Sequence, residues 1–324
     1  MVKYSLLLAA AVPLSLTTAV PLAHAQPGPG LSVSLPDGVS EADFGKRDLQ
    51  VLAVQVMLDR SRHSPGVIDG YMGGNTKRAI RYYRKANGLP GGDGVDEELL
   101  GSLLDTQSGD VFRTYTITQD DVDGPFYDIP SEFPKMAEME RLGYRNAQEM
   151  LAERFHMDQK FLGALNPGVD FSKAGQDIVI VSHGDEKLDA QIAKIEVRKG
   201  DKSVVALDSG GKLLASYPAT IGSSEFPSPS GSMKVNAIAS EPNYTFDPDD
   251  QKWGPDKTFI IPPGPNGPVG GTWIDLGKDG YGIHGSPDPQ RVAKRASHGC
   301  VRLTNWDAEE LARAVTTGTP VVFV

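Results

Sequence analysis

Cys300 is the only cysteine among 324 residues, and it stands in the run Ser297-His298-Gly299-Cys300-Val301-Arg302-Leu303. A thiol attacks carbonyl carbon as thiolate, and an ordinary cysteine, with a pKa of about 8.5, is mostly protonated at neutral pH. It therefore needs a neighbouring base or positive field. His284, sixteen positions upstream, can be returned by a loop between two strand ends to face the thiol. His298 is too near in sequence to point the same way unless the turn is sharp, so His284 is the candidate general base. The carbonyl of Gly285 is placed to orient that imidazole as a third member. Gly299 allows close backbone approach, and the N–H groups around Gly299 and Cys300 could form an oxyanion hole. Arg302, two past the cysteine in a strand, projects to the same side and could hold a substrate carboxylate.

Two other uses of these residues weigh less. A single thiol is often inert packing, but two histidines and two glycines around it argue for chemistry. His284, His298 and Cys300 are possible zinc ligands, yet one thiolate without a well-spaced fourth ligand makes an incomplete set. No metal and no other cofactor is expected. Asp288, between Pro287 and Pro289, shapes a loop.

The chain's start reads as an export signal over residues 1–25. Lys3 is positive, Leu6 to Val20 is apolar or small, and Ala23-His24-Ala25 has the small-x-small form of a cleavage site. The apolar run is short and broken by Pro13, unlike a membrane span. Residues 26–42, beginning Pro/Gly-rich, read as a linker. An exported protein with one cysteine cannot close an internal disulfide, which again leaves the thiol available. With 32 Lys+Arg against 42 Asp+Glu, the formal charge is −10. An acidic chain without a basic stretch is a poor nucleic-acid binder.

The elements that must position this chemistry suggest a multidomain α+β protein. Residues 43–106 carry helical apolar spacing at Leu49, Leu52, Ala53, Val56 and Met57, a Gly-rich turn at 64–75, a second helix with Ala79, Ile80 and Tyr83, and a third at 97–104. Asp69 is expected to brace the turn. Residues 112–184 read as strand, helix, helix, strand, with an insertion from Asp120 to Gly143. Residues 190–324 switch to short strands at regular spacing, which argues for a β-sandwich or barrel. The strands expected there are 193–197, 203–207, 213–221, 233–239, 258–261, 272–276, 282–284 and 321–324. One helix, capped by Thr304 or Asn305, runs through Ala308, Leu311, Ala312 and Val315 towards Gly318. Among Tyr217, Phe226, Tyr244, Trp253 and Trp273, one or two are expected at a substrate groove, and residues 241–268 are long enough for a lid.

Three resemblances follow from these motifs. His284-Gly285 with Ser297-His298-Gly299-Cys300-Val301-Arg302, together with Pro229 to Val235, is similar to the L,D-transpeptidase catalytic domain. Val67-Ile68-Asp69-Gly70-Tyr71-Met72-Gly73-Gly74-Asn75-Thr76 resembles the peptidoglycan-binding domain family. Leu151-Ala152-Glu153-Arg154-Phe155 with Leu162 to Pro167 and Gly175 to Ile180 resembles a LysM module, apart from the insertion. Papain-like cell-wall hydrolases place the cysteine before the histidine, and sortase-like enzymes have a longer interval, so both fit less well.

The first resemblance implies a sandwich-like fold, Cys300 as acyl acceptor, His284 as base, and Ser297 and His298 as site-shaping residues. It implies attack after the L-centre of meso-diaminopimelate in a tetrapeptide stem, release of D-Ala, transfer to an acceptor amine, and acylation by carbapenems. The implied partners are stem peptides, glycan strands and an acceptor that could be a protein, in the periplasm or cell wall. Alternatives are an L,D-carboxypeptidase using the same thiol and a non-catalytic wall-binding scaffold.

Overall fold

The computed structural model describes residues 33–107, 109–184, 188, 190–222, 227–249, 254–295, 297 and 299–324. The expected export signal, residues 26–32 of the expected linker, Phe226, Trp253 and His298 lie outside the described residues. The rest of that linker is not a free tether, because Val39 is buried in the N-terminal core with Val33 and Leu35 packed against it.

The N-terminal helices begin at side-chain caps that satisfy otherwise orphaned N–H groups. Ser40 and Asp43 form a capping box on α1 (Glu41–Phe44), and Asp48 caps α2 (Leu49–Arg60). Leu52, Ala53, Val56 and Met57 of the expected apolar face are buried and Leu49 is half-buried; Val54 and Leu58 are buried too, so the helix is covered on several sides. Its Gln55 ties the Gly-rich turn together: Nε2 donates to Asp69 Oδ1 (3.0 Å) and Oε1 accepts from Gly70 N (2.8 Å). Asp69 braces the turn, also accepting from Tyr71 N. After α3 (Gly74–Ala86) comes α4 (Glu97–Thr106), capped by Asp96.

β1 (Phe112–Thr116) leads into the insertion, which holds α5 (Gln119–Asp123) and α6 (Phe133–Met136). Then follow α7 (Ala147–Arg154), α8 (Gln159–Leu165) and β2 (Asp177–Val181), which returns antiparallel to β1. The two segments share one hydrophobic core: Leu52, Ile80 and Leu103 pack in the same cluster as Leu151, Phe161 and Ile178. Each such side chain contributes about 2 kcal/mol by leaving water.

The C-terminal part has β3 (Lys194–Arg198), β4 (Ser203–Leu207), β5 (Leu213–Pro218), β6 (Gly231–Lys234), β7 (Ala237–Ser240), β8 (Tyr244–Phe246), β9 (Phe259–Ile261), β10 (Thr272–Lys278), β11 (Tyr281–His284), β12 (Val301–Arg302), α9 (Asn305–Ala314) and β13 (Pro320–Phe323). One sheet has the order β5-β4-β3-β13-β6, another β12-β11-β10-β7, and β8 pairs with β9. Ile195 and Val204 from the first sheet, Ile274, Ile283 and Val301 from the second, and Leu311 from α9 meet in one core. This is the sandwich-like arrangement expected.

Differences from the expected strands have local causes. The single strand expected over 233–239 divides because the chain crosses between sheets there: Val235 N bonds Thr319 O, and Asn236 N bonds Asp275 O. The strand expected to reach Ile221 ends at Pro218, beyond which Thr220 bridges to Arg302. The helix expected to continue to Gly318 stops at Ala314.

β4 is buried at every position, unlike a strand with one wet face. The reason is α3, whose Tyr82 packs on Val205, Leu207 and Leu213 of the outer face. Tyr82 Oη donates to Asp201 Oδ2 (2.7 Å). Nearby, Ser64 N donates to Ser216 O and Ser216 N to Arg62 O, both at 2.9 Å. Residues 31–324 thus pack as one unit. Among the described residues, no helix is long and apolar enough to cross a membrane.

Candidate active site

β11 and β12 run parallel, with Ile283 opposite Val301 and His284 opposite Arg302. On the other side of β11, Trp273 of β10 lies opposite His284. Side chains alternate along a strand, so Ile283 and Val301 enter the core while Trp273, His284 and Arg302 share the other face. That face forms a wall of a cleft of about 780 Å³, which Cys300 also lines. The structure therefore brings Cys300, His284 and Arg302 together. The Trp273 indole stacks on the His284 ring, with centroids 5.5 Å apart and planes 20° from parallel. A Cβ on Gly282 would collide with that indole.

His284 is buried, and its Nδ1 lies 2.7 Å from Gly285 O. A carbonyl can only accept, so Nδ1 carries the proton and Nε2 keeps a lone pair. Burial and the Arg302 guanidinium pull the imidazole pKa down to about 3, against the carbonyls of Gly285 and Val269. Cys300 Sγ donates to Gly280 O at 3.1 Å. Burial raises its thiol pKa above the ordinary value, opposed by the Gly282 backbone and Arg302. The pair is thus a neutral thiol beside a neutral imidazole at neutral pH.

The turn before the cysteine is held by two serines. Ser297 Oγ donates to Cys300 O (2.5 Å) and accepts from Gly299 N (3.3 Å). Ser228 Oγ donates to Gly299 O (2.6 Å) and accepts from Gly222 N (2.9 Å). Gly299 has φ +119°, a conformation that disfavours a side chain. Its N–H faces Ser297, so in this conformation it is not open to an oxyanion. Nothing in the run Pro227-Ser228-Pro229-Ser230 singled out Ser228.

Arg302 is fixed through its backbone, exchanging two hydrogen bonds of 2.9 Å with Thr220. Its Nε is buried without a hydrogen-bond partner among the described residues. Gly285 is fixed from behind by Asn305: a Cβ there would collide with Asn305 Oδ1, which accepts from Ser286 N (3.0 Å). Asn305 Nδ2 donates to Glu153 Oε1 (2.8 Å) and Pro265 O (3.1 Å). Thr304 supplies the helix cap, accepting from Asp307 N, which frees the Asn305 side chain for this work.

Of the aromatic candidates, Tyr244 and Trp273 line the cleft. Tyr217 instead points into the protein and donates to Glu310 Oε1 (2.6 Å). The segment expected as a lid forms the β8–β9 pair, with Phe133 of the insertion 6.0 Å from the Tyr244 ring and 5.1 Å from Phe246. Phe133 and Met136 thereby complete the cleft from a distant segment, as do Tyr281, Arg291 and Arg295.

A thiol, a neutral imidazole and a guanidinium on one cleft wall define a site suited to nucleophilic acyl transfer. Comparison with known proteins gives the same class. The YkuD family, the L,D-transpeptidase catalytic domain, matches residues 193–323, and the "Putative peptidoglycan binding domain" family matches residues 47–100. The "Putative L,D-transpeptidase YkuD" of Bacillus licheniformis is 30% identical over 175 residues, 53% of this chain and 90% of that protein. Its Bacillus subtilis namesake is 47% identical over 57 residues, 18% of this chain and 35% of that one. The chain belongs to the L,D-transpeptidase family. Among solved structures, an L,D-transpeptidase from Mycobacterium smegmatis is 18% identical with a TM-score of 0.34, over 45% of this chain and 65% of that one.

Proposed function

We propose that the chain cuts and rejoins peptidoglycan stem peptides through a thioester on Cys300. The observation that carries this is the shared wall of Cys300, His284 and Arg302 in one cleft. An imidazole with a pKa of about 3 holds a proton poorly, so the thiol proton moves to Nε2 only as sulfur bonds to carbon. The attacked carbonyl follows the L-centre of meso-diaminopimelate. The tetrahedral adduct collapses, the C–N bond breaks, and D-Ala leaves with the proton held by His284. An acceptor amine then adds to the thioester, yields its proton to His284, and displaces the thiolate, which recovers it. Gly285 O keeps the ring oriented, Arg302 holds a substrate carboxylate, and Ser297, His298 and Gly299 shape the turn.

The acceptor amine belongs to a second stem peptide, a wall protein or a free D-amino acid. Residues 1–25 serve as export signal and the Pro/Gly-rich start of 26–42 as tether, placing the enzyme in the periplasm or wall. Residues 43–106 and the LysM-like 112–184 guide the catalytic residues 190–324 to peptidoglycan, and the insertion supplies part of the substrate groove. The test is mass spectrometry of products from purified protein with disaccharide-tetrapeptide. A cross-linked dimer lacking one D-Ala supports the reading. Tripeptide alone would convert it to a carboxypeptidase, and unchanged substrate with several acceptors would sink it in favour of a scaffold.

A further inference from the structure

Asp59 ends α2, His156 sits between α7 and α8, and His183 follows β2, yet one ligand atom from each lies within 4.8 Å of the others. We propose that these three side chains bind a zinc-class transition-metal dication, with solvent completing its coordination.

The geometry favours an ion over a plain ion pair. His156 Nδ1 is 3.1 Å from both Asp59 oxygens. A charge-assisted N–H···O bond is usually about 2.7–2.9 Å and directed at one oxygen. Ligand atoms roughly 2.0–2.2 Å from one metal lie roughly 3.0–3.6 Å apart at angles between about 90° and 110°, so this pair needs little movement to share an ion. The third residue is aligned by the same glycine that aligns the first. Gly184 N donates to Asp59 Oδ2 (3.0 Å), and His183 Nδ1 lies 2.9 Å from Gly184 O. Backbone contacts of this kind orient ligands in known metal sites. A Cβ on Gly184 would press on Arg60 Cα at 3.0 Å, so a side chain there would disturb the alignment. The Arg113 contact with His183 Nε2 is 3.5 Å, long enough to yield to an ion.

The surroundings are strained and open to supply. His156 has φ +57°, a left-handed conformation that a non-glycine residue adopts at a cost. Its ring is clamped by Trp306, stacked at 5.1 Å and 10°, and by His183 at 4.4 Å. His156, His183 and Trp306 line a cavity of about 520 Å³, roomy enough for a hydrated ion to approach. Trp306 Nε1 is buried there without a hydrogen-bond partner among the described residues, a donor available to an anion or water on the metal. Binding would displace the proton shared by His156 and Asp59 and join three segments distant in sequence.

This site is independent of the proposed acyl transfer, and its test removes the catalytic thiol from consideration. The Cys300→Ser chain, stripped by chelator, is titrated with Zn²⁺ by calorimetry and with Co²⁺ by visible absorption. The expected result is one equivalent bound, with Co²⁺ bands of low-coordinate nitrogen and oxygen ligation, proton release, and a higher melting temperature. Adding His183→Gln should weaken binding by more than the roughly 10–100-fold that loss of an outer hydrogen-bond partner costs. Asp59→Asn should do the same; if it fails to fold, His183→Gln, on a half-exposed side chain, decides the matter. Absence of saturable one-to-one binding, or affinity unchanged by His183→Gln in folded protein, overturns the proposal and leaves an ion pair alone.

Discussion

On the cleft side of β11 and β12, Arg302 Nε is buried without a hydrogen-bond partner among the described residues, and the Cys300 thiol donates to the Gly280 carbonyl. Behind the same strands, the Asn305 amide bonds Ser286, Glu153 and Pro265 at once. An unpaired buried polar group costs about 1–3 kcal/mol, and the cleft carries that cost where a substrate can relieve it. The junction behind it satisfies its polar groups and so fixes the backbone that aims His284. Reactive groups left unpaired need neighbours that are not.

The sharpest way to separate the two regions is to remove the nucleophile. Cys300→Ala should lower acyl transfer by on the order of 10⁴-fold or more while leaving the urea midpoint almost unchanged. Residual turnover in the folded variant would remove the thiol from the mechanism.

Asn305→Ala should do the reverse. It strands Ser286 N, Pro265 O and Glu153, and should cost about 2–4 kcal/mol in urea melts, with a smaller fall in kcat as the Gly285 carbonyl loosens. Wild-type stability together with lost activity would place Asn305 with the cleft instead.

Arg302→Ala should weaken kcat/KM by roughly 10–100-fold, the worth of a charged hydrogen bond, mainly through KM. It should also let the His284 pKa rise, because the guanidinium is one cause of its depression. Unchanged kcat/KM for a stem with a free carboxylate would end its assigned role.

The junction should reveal itself through pH. Burial raises the Asp307 carboxyl from an ordinary 3.8 to about 7, and Glu153 also sits near 7, from 4.5, for the same first cause. The folded state therefore binds more protons than the unfolded chain between those values. Their contribution is greatest below pH 4, declines as pH rises to about 7, and is flat above, with a slope of at most about 1.4 kcal/mol per pH unit per group. Asp307→Asn should reduce the fall in stability between about pH 4 and pH 7. An identical slope in the variant would mean the carboxyl ionises normally.

Much of the cleft was legible because its chemistry is local. Gly285 follows His284, so its carbonyl could be read as the ring's partner, and strand alternation alone puts Cys300 and Arg302 on one face. The turn brace by Asp69 was legible for the same reason. Ser228, Asn305 and Glu153 were not: each acts on residues reached only after the sheets close. Phe133 reached the cleft through an insertion that looked like a mere departure from a module's pattern. The expected strand over 233–239 failed because alternation cannot say which sheet each half joins.

By itself, then, the chain's order of residues determined a lone thiol with a candidate histidine base upstream, much of the secondary structure that carries them, and family membership. Short-range rules suffice there, since alternation, capping and peptide-bond adjacency act over a few residues. Tertiary structure alone decided the fusion of the helical segments to the catalytic sheet, the depressed imidazole and raised thiol, and the meeting of Asp59, His156 and His183. Those depend on burial and on charges brought close through space, and neither is a property of neighbours in sequence.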